Sequence, residues 1–464
     1  MYAPSGVPGV HLIYPHCGTL SEHSLHGTFF RSLILKEVAV NDVRKAADEH
    51  RMERYGMLRR FLGVQWLAVV FVGGVSFVLS VCIARRFGPE TFGVYAQAIA
   101  LGSLLMILVD GGFGKLLFRE TARASPKLEQ YSENLHGFAY GHACMTIALL
   151  ALLAMLNPYG SHRPTLLATV GVFGVIVLGQ FSLAILRGQG RLVRDAIWQV
   201  SSRAITAATI AIALWAGADA PWEVLAAQFL GVSLFLVLIM RKGWVRPSFR
   251  IPKNVYAVAV PLIWLDLASV VYFRSDMLLC ELMKVPNADV GAYGVAFRLI
   301  DASLLLASPV GIMLFRRFRL NTEATVRATV MGIARLALVA GGIGLLIFVL
   351  ALPTADAFFL LFFGERFAFS GTLFKVLCFM LVFVLANGVL GQGVFALGLD
   401  RRYVWTATAA AVFNVGGNML LMPVYGIWAA VWMSVVTEVV VSIGLAAALL
   451  QAWKSAALAE RSDG

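Results

Sequence analysis

The chain has 464 residues, of which 59% are hydrophobic and 14% charged, with a formal net charge of +12 and a mean hydropathy of +0.79. Soluble domains carry roughly 25% charged and roughly 45 to 50% apolar residues, so the composition excludes a water-soluble globular protein and describes a polytopic membrane protein. The positive charge is a topology signal with affinity for anionic lipid head groups, and not a sign of nucleic-acid binding.

Residues 1–55 read as a disordered cytoplasmic extension. Five of the eight histidines fall in the first 50 residues, among scattered Gly and Pro, with no apolar run long enough for a signal peptide. His11, His16, His23 and His26 match no compact metal-ligand spacing, and Met52 or Met57 would start a chain just before "LRRFLGVQWLAVV". Cys17 lies in this segment, whereas Cys82, Cys144, Cys280 and Cys378 fall in or at the ends of apolar spans, so no disulfide framework is implied.

Apolar runs then follow at membrane-crossing length. Six, near 61–84, 92–115, 137–157, 165–187, 196–217 and 222–240, make an N-lobe over 56–245; six more, near 256–278, 289–314, 329–352, 371–396, 404–423 and 426–450, make a C-lobe over 246–453. Residues 454–464 are a short cytoplasmic tail. With the N-terminus inside, the inner loops hold eighteen basic residues, among them Lys115, Arg119, Arg123, Lys127, Arg187, Arg191, Arg241, Lys242 and Arg316, against five outside (Arg85, Arg86, Arg163, Lys284 and Arg366). The positive-inside rule places both termini in the cytoplasm.

The two lobes are copies. "FGPETFGVYAQAIAL" at the entry of the second span is answered by "VPNADVGAYGVAFRLIDASLL" at the entry of the eighth, with Gly93 and Tyr95 matched by Gly291 and Tyr293 at an offset of 198 residues. "LRGQGRLVRDA" and "ALGLDRRYVWTA" echo each other at an offset of 210, which calls for about twelve extra residues in the segment from Pro353 to Gly371. Six spans per copy is an even number, so the copies run parallel. The repeated Gly is read as a close backbone approach at a helix entry, and the repeated Tyr as an interfacial ring with a wet hydroxyl.

At this point a resemblance appears. The segment from "LGVQWLAVV" to "KLLFRETAR" resembles the opening spans of bacterial polysaccharide transporters, the O-antigen and exopolysaccharide flippases of the MATE-like multidrug/oligosaccharidyl-lipid/polysaccharide superfamily. "YFRSDMLLCELMKVPNADVGAYGVAFRLID" is similar to the start of their second lobe, and "NMLLMPVYGIWAAVWMSVVTEVV" to their last spans. The resemblance implies an all-α integral membrane fold of twelve helices around a central cleft lined by spans one, two, seven and eight. It further implies translocation of polyprenyl-diphosphate-linked oligosaccharide by alternating access in the bacterial cytoplasmic membrane. Coupling to a proton or sodium gradient, no cofactor, and partners among the polymerase and glycosyltransferases of one pathway belong to the same expectation.

Charges inside spans mark the candidate site, because an ionisable group at mid-bilayer costs roughly 2.5 to 3.5 kcal/mol and faces a cavity or a partner. Arg298 and Asp301, three apart on the eighth span, are expected to pair with each other along a cavity wall. Arg274 and Asp276 sit toward the outer end of span seven with Asp266 deeper, Arg203 lies in span five, Lys375 near the outer end of span ten, and Glu438 in span twelve. Snorkelling explains Lys375 and Arg274 equally well. As a set, the cations Arg203, Arg274, Arg298 and Lys375 suit an anionic passenger such as a diphosphate. Asp266, Asp276, Asp301 and Glu438 would then balance charge or bind a coupling cation. Asp110, before "GGFG" at the inner face, reads as a helix-terminus or gate residue.

A glycosyltransferase or polymerase is disfavoured, since no sizeable aqueous domain and no Asp-x-Asp is present. No phosphate loop for ATP occurs either. The alternative is a cation-coupled drug or small-molecule exporter of the same superfamily, for which a less cationic cavity is expected.

Overall fold

A computed structural model describes residues 25–122, 128–157, 163–239, 245–322 and 326–462. His11, His16, His23, Cys17 and the loop residues Arg123, Lys127, Arg241 and Lys242 lie outside the described residues. Contacts divide the chain into two units: Met1–Phe61, helical from Leu25, and Leu62–Gly464, which holds the membrane helices.

The second unit is helical throughout its described length, apart from turns and the irregular segment 245–252. Its first half comprises α1 (Gly63–Asp110), α2 (Phe113–Ala122), α3 (Leu128–Met155), α4 (Arg163–Gly188), α5 (Leu192–Trp215) and α6 (Pro221–Ile239). The second half comprises α7 (Lys253–Leu282), α8 (Asn287–Thr322), α9 (Val326–Phe363), α10 (Ala368–Leu377), α11 (Met380–Ala396), α12 (Asp400–Tyr425) and α13 (Ile427–Ser462). Among the described residues ten helices are long and apolar enough to cross a membrane, or eleven if the pair around α10 and α11, bent by 50°, is one span.

The expected twelve spans and this count differ mainly at α1, which is 48 residues long and contains two of the expected spans. It is broken at Gly88, whose φ of 72° only glycine adopts at little cost. Pro89 follows, and its missing N–H and fixed φ suit the first position of a new helix. Two further positive-φ glycines, Gly111 and Gly112, end α1 and let α2 start. The extra residues that the repeat calls for in the second half extend α9, which runs on through Pro353 to Phe363 and is followed by a 3-10 turn at Glu365–Phe367.

Three apolar cores explain how the halves are joined. One packs α2 to α6 of the first half together with the start of α7, around Phe113, Phe181 and Phe235. Another lies within the second half around Ile333, Val394 and Leu445. The largest is shared: Phe92 and Tyr95 of α1 and Val224 of α6 pack with Tyr293 of α8, Phe359 of α9 and Phe367. Its residues come from the end of the bundle opposite the basic loops, so the halves are fused there and leave space between them toward the basic end.

Candidate functional site

That space is a cavity of about 1040 Å³. Its walls come from α1 and α2, from α4, α5 and α6, and from α7, and its charged lining is Asp110, Lys115, Arg187, Arg203, Asp266 and Arg274. The expectation of a cleft lined by spans one, two, seven and eight is therefore met in part. α4, α5 and α6 supply much of the wall, and α8 contributes no lining residue among the described ones.

Most of the cavity cations already have a carboxylate. Lys115 Nζ lies 2.5 Å from Asp266 Oδ1, joining α2 to α7. Arg187 Nε lies 3.0 Å from Asp195 Oδ1. Arg274 donates to Asp301 at 2.8 Å and rests over the Phe297 ring at 5.4 Å. Asp301 thus pairs with Arg274 of α7, and not with Arg298 one turn away on its own helix. Lys375, expected in the same cavity, is held instead by Asp356 of α9 and is absent from the lining.

Two guanidiniums stand apart. Among the described residues neither Arg203 nor Arg298 makes an ion pair or a side-chain hydrogen bond, and the two lie close enough to repel each other, with the Tyr95 hydroxyl within electrostatic reach of both. Arg203 faces the cavity from α5, whereas Arg298, on α8, is not among the lining residues, contrary to what the sequence had suggested. An anion placed between them would relieve that repulsion and meet a fork of donors from each side.

The carboxylates divide into two groups. Asp110 and Asp266 line the basic end of the cavity around Lys115, and Asp110 Oδ1 also accepts the Gly114 N–H at 3.1 Å, closing the first turn of α2. Asp276 and Glu438 are buried inside the second half, away from the lining. The Tyr293 hydroxyl donates to Asp276, with Ser434 Oγ 3.1 Å from that hydroxyl. Asn387 Nδ2 donates to Glu438 Oε2 at 2.8 Å, and its own Oδ1 accepts from Ser442 at 2.7 Å.

Tyr293 corrects a sequence reading, because its side chain is fully buried and its hydroxyl is bonded to a carboxylate, not to water. Lys115 and Arg187 were legible only as loop charges, since their places just past the apolar runs match topology signals. A short joint beside them was not legible at all. A carbonyl can only accept, so His142 Nε2 carries the proton toward Leu108 O at 2.9 Å, and Nδ1 accepts from the Tyr256 hydroxyl of α7 at 3.1 Å.

A profile of the polysaccharide biosynthesis protein family matches residues 62–315. The chain belongs to that family. No curated protein sequence matches it. Among solved structures it is similar to the lipid II flippase MurJ in an inward closed conformation, at a TM-score of 0.68 and 12% identity over 84% of this chain and 90% of that one. It is also similar to an inward-facing multidrug resistance MATE transporter of the MOP superfamily, at 0.64 and 13% over 86% and 98%. A MOP superfamily transporter from Pyrococcus furiosus gives 0.57 and 13% over 86% and 95%. The fold of this polysaccharide biosynthesis family member is therefore the fold of membrane transporters and flippases, as the sequence resemblance implied, and not that of a glycosyltransferase.

Proposed function

We propose that this protein moves a polyprenyl-diphosphate-linked oligosaccharide or repeat unit across the bacterial cytoplasmic membrane by alternating access. The basic end faces the cytoplasm and both termini lie inside. The observation that carries this reading is Arg203, a lining cation without a carboxylate partner in a 1040 Å³ cavity whose other lining cations are neutralised, with the equally unpaired Arg298 within electrostatic reach of it from α8. A diphosphate supplies the charge this pair lacks, the glycan has room in the cavity, and the prenyl tail stays in lipid. Arg274 and Asp301 then shape the cavity wall as a fixed pair, and Lys375 remains a second-half ion pair.

Coupling to a proton or sodium gradient is part of the same proposal. Asp276 and Glu438, buried among hydroxyl and amide groups, and Asp110 and Asp266 around Lys115, are the groups in which charge compensation would reside. Family membership supports a place beside the polymerase and glycosyltransferases of a polysaccharide pathway.

The test is reconstitution in liposomes with a fluorescent polyprenyl-diphosphate oligosaccharide and, separately, a cationic dye. The lipid-linked sugar is expected to cross. Arg203→Ala and Arg298→Ala should each abolish crossing with normal melting temperature, and Arg298→Lys should recover only part of it, because a point charge replaces a planar fork. A stable, fully active Arg298→Ala would sink the assignment, and transport of the dye alone would favour the exporter.

A further inference from the structure

The repeated glycines make the close backbone approach that their sequence context suggested, and the segment each one approaches is its own copy in the other half. A Cβ on Gly93 would lie 2.0 Å from the carbonyl oxygen of Asn287 and 3.1 Å from the amide nitrogen of Gly291. A Cβ on Gly291 would lie 1.9 Å from the carbonyl oxygen of Pro89 and 3.1 Å from the amide nitrogen of Gly93. One turn on, a Cβ on Gly294 would lie 2.8 Å from that of Ala96. Positions 89 and 287, 93 and 291, and 96 and 294 all share the 198-residue offset of the repeat. Each segment therefore packs against its own copy, as matched segments do when they meet on a two-fold axis.

The contact is backbone on backbone. Only glycine lets two helices come close enough for the Cα of one to lie against a carbonyl of the other. Flanking contacts close the same end: Phe92 meets Phe367 edge-on with centroids 6.0 Å apart, and Arg85 donates to the carbonyls of Leu361 and Phe362 at 2.5 and 2.6 Å. All of these join the first half to the second, at the end away from the basic loops.

We propose that the crossing of Gly93 and Gly291 is the outer seal of the cavity. It holds the halves together in the conformation described and parts when the cavity opens outward. The inference rests on the alternating-access reading and its orientation, and it is indifferent to which cargo is carried. Because a Cβ at either glycine would need the helices to separate by roughly 1 Å before it reached a tolerated distance, alanine at either position favours the open seal. By the symmetry of the contact, the two alanines act alike.

The experiment reads water access and uses no transport assay. Ser103→Cys places a thiol on the cavity wall, and an impermeant maleimide is applied outside intact cells, counting only labelling above that of the parent chain. Gly93→Ala and Gly291→Ala should each raise the outside labelling rate by about tenfold. Gly342→Ala, where an added Cβ meets nothing within 4 Å, should leave it unchanged. A second arm does not depend on the alanine variants folding. Ala96→Cys with Gly294→Cys lies within about an ångström of disulfide geometry, and oxidising that pair should abolish outside labelling of Ser103→Cys until reductant is added. The proposal is overturned if the oxidised protein still labels from outside at the parent rate, or if folded alanine variants label like the parent. A thiol at exposed Asp219 serves as the reference for sidedness; if it labels only from inside, the orientation fails and the seal is reassigned to the inner face.

Discussion

The two halves touch at both ends of the cavity, by different chemistry. At one end glycine backbones cross beneath buried aromatic rings, with Phe92, Tyr293 and Phe359 fully shielded. At the other, the start of α7 lies on α2 and α3 through the buried Val255 and, beside it, groups that water reaches: Lys115 and Asp266, 42% and 35% exposed, and His142 with Tyr256. Gly112 adds a close approach there, since a Cβ on it would lie 2.7 Å from the carbonyl oxygen of Ala259. An exposed ion pair is worth roughly 0 to 1 kcal/mol and is screened by salt, whereas opening the aromatic end exposes apolar surface at roughly 25 cal/mol per Å². The ion pair is thus the part of the basic-end contact that is most easily broken.

This asymmetry is open to direct attack. The largest effect is expected at the shielded end. Phe92→Ala removes a ring that is 0% exposed, and should cost about 3 to 5 kcal/mol, seen as a clear fall in the melting temperature of the detergent-solubilised protein. Next comes Tyr293→Phe, which keeps the packing and deletes the hydroxyl that Asp276 accepts from. An unsatisfied buried acceptor costs about 1 to 3 kcal/mol, so a smaller drop in the same melting experiment is expected. A Tyr293→Phe protein as stable as its parent would show that Ser434 and the Met277 N–H satisfy Asp276 without the tyrosine.

The smallest effect on stability, but a visible one on access, is expected at the basic end. Lys115→Ala or Asp266→Asn should change stability by no more than about 1 kcal/mol. Each should nevertheless speed labelling of a thiol at cavity residue Ser202 from the cytoplasmic side in inverted vesicles. Salt near 1 M, where the screening length falls to about 3 Å, should speed the parent in the same way. Exchanging the pair as Lys115→Asp with Asp266→Lys should bring the rate back down. If Lys115→Ala instead lowered the melting point as far as Phe92→Ala, the two ends would be equivalent and the asymmetry wrong.

How much of this was readable from residues alone varies by element. The break in α1 follows from "FGPE", where Gly and Pro stand together after an apolar run, and the expected spans 61–84 and 92–115 sit on either side of it. The short α2 was hidden because "KLLFRETA", with its Lys, Arg and Glu, reads as a basic loop past the span 92–115, and the positive φ of Gly111 and Gly112 divides it from α1. Of the site, Arg203, Arg274, Asp266 and Asp110 do line the cavity, since a charge in an apolar span has few places to go. Lys375 satisfies the same rule by pairing with Asp356 on a neighbouring helix.

What the sequence determined by itself is whatever depends on neighbours along the chain. Hydropathy sets the membrane class, the tally of Lys and Arg supports an orientation, and the 198-residue echo implies two parallel copies. The glycines at 93 and 291 were already marked by that echo. Only the tertiary structure decided the partners. Arg298 and Asp301 share a helix face at a spacing worth roughly 0.2 to 0.5 kcal/mol, yet Asp301 takes Arg274 from the adjacent helix, which brings its guanidinium to 2.8 Å. Arg298 is thereby left beside Arg203, from a helix more than 90 residues earlier in the chain. Helical spacing says which side chains share a face, but what that face meets depends on how distant helices pack, and that packing is what leaves Arg203 on the cavity wall, and Arg298 near it, without carboxylates.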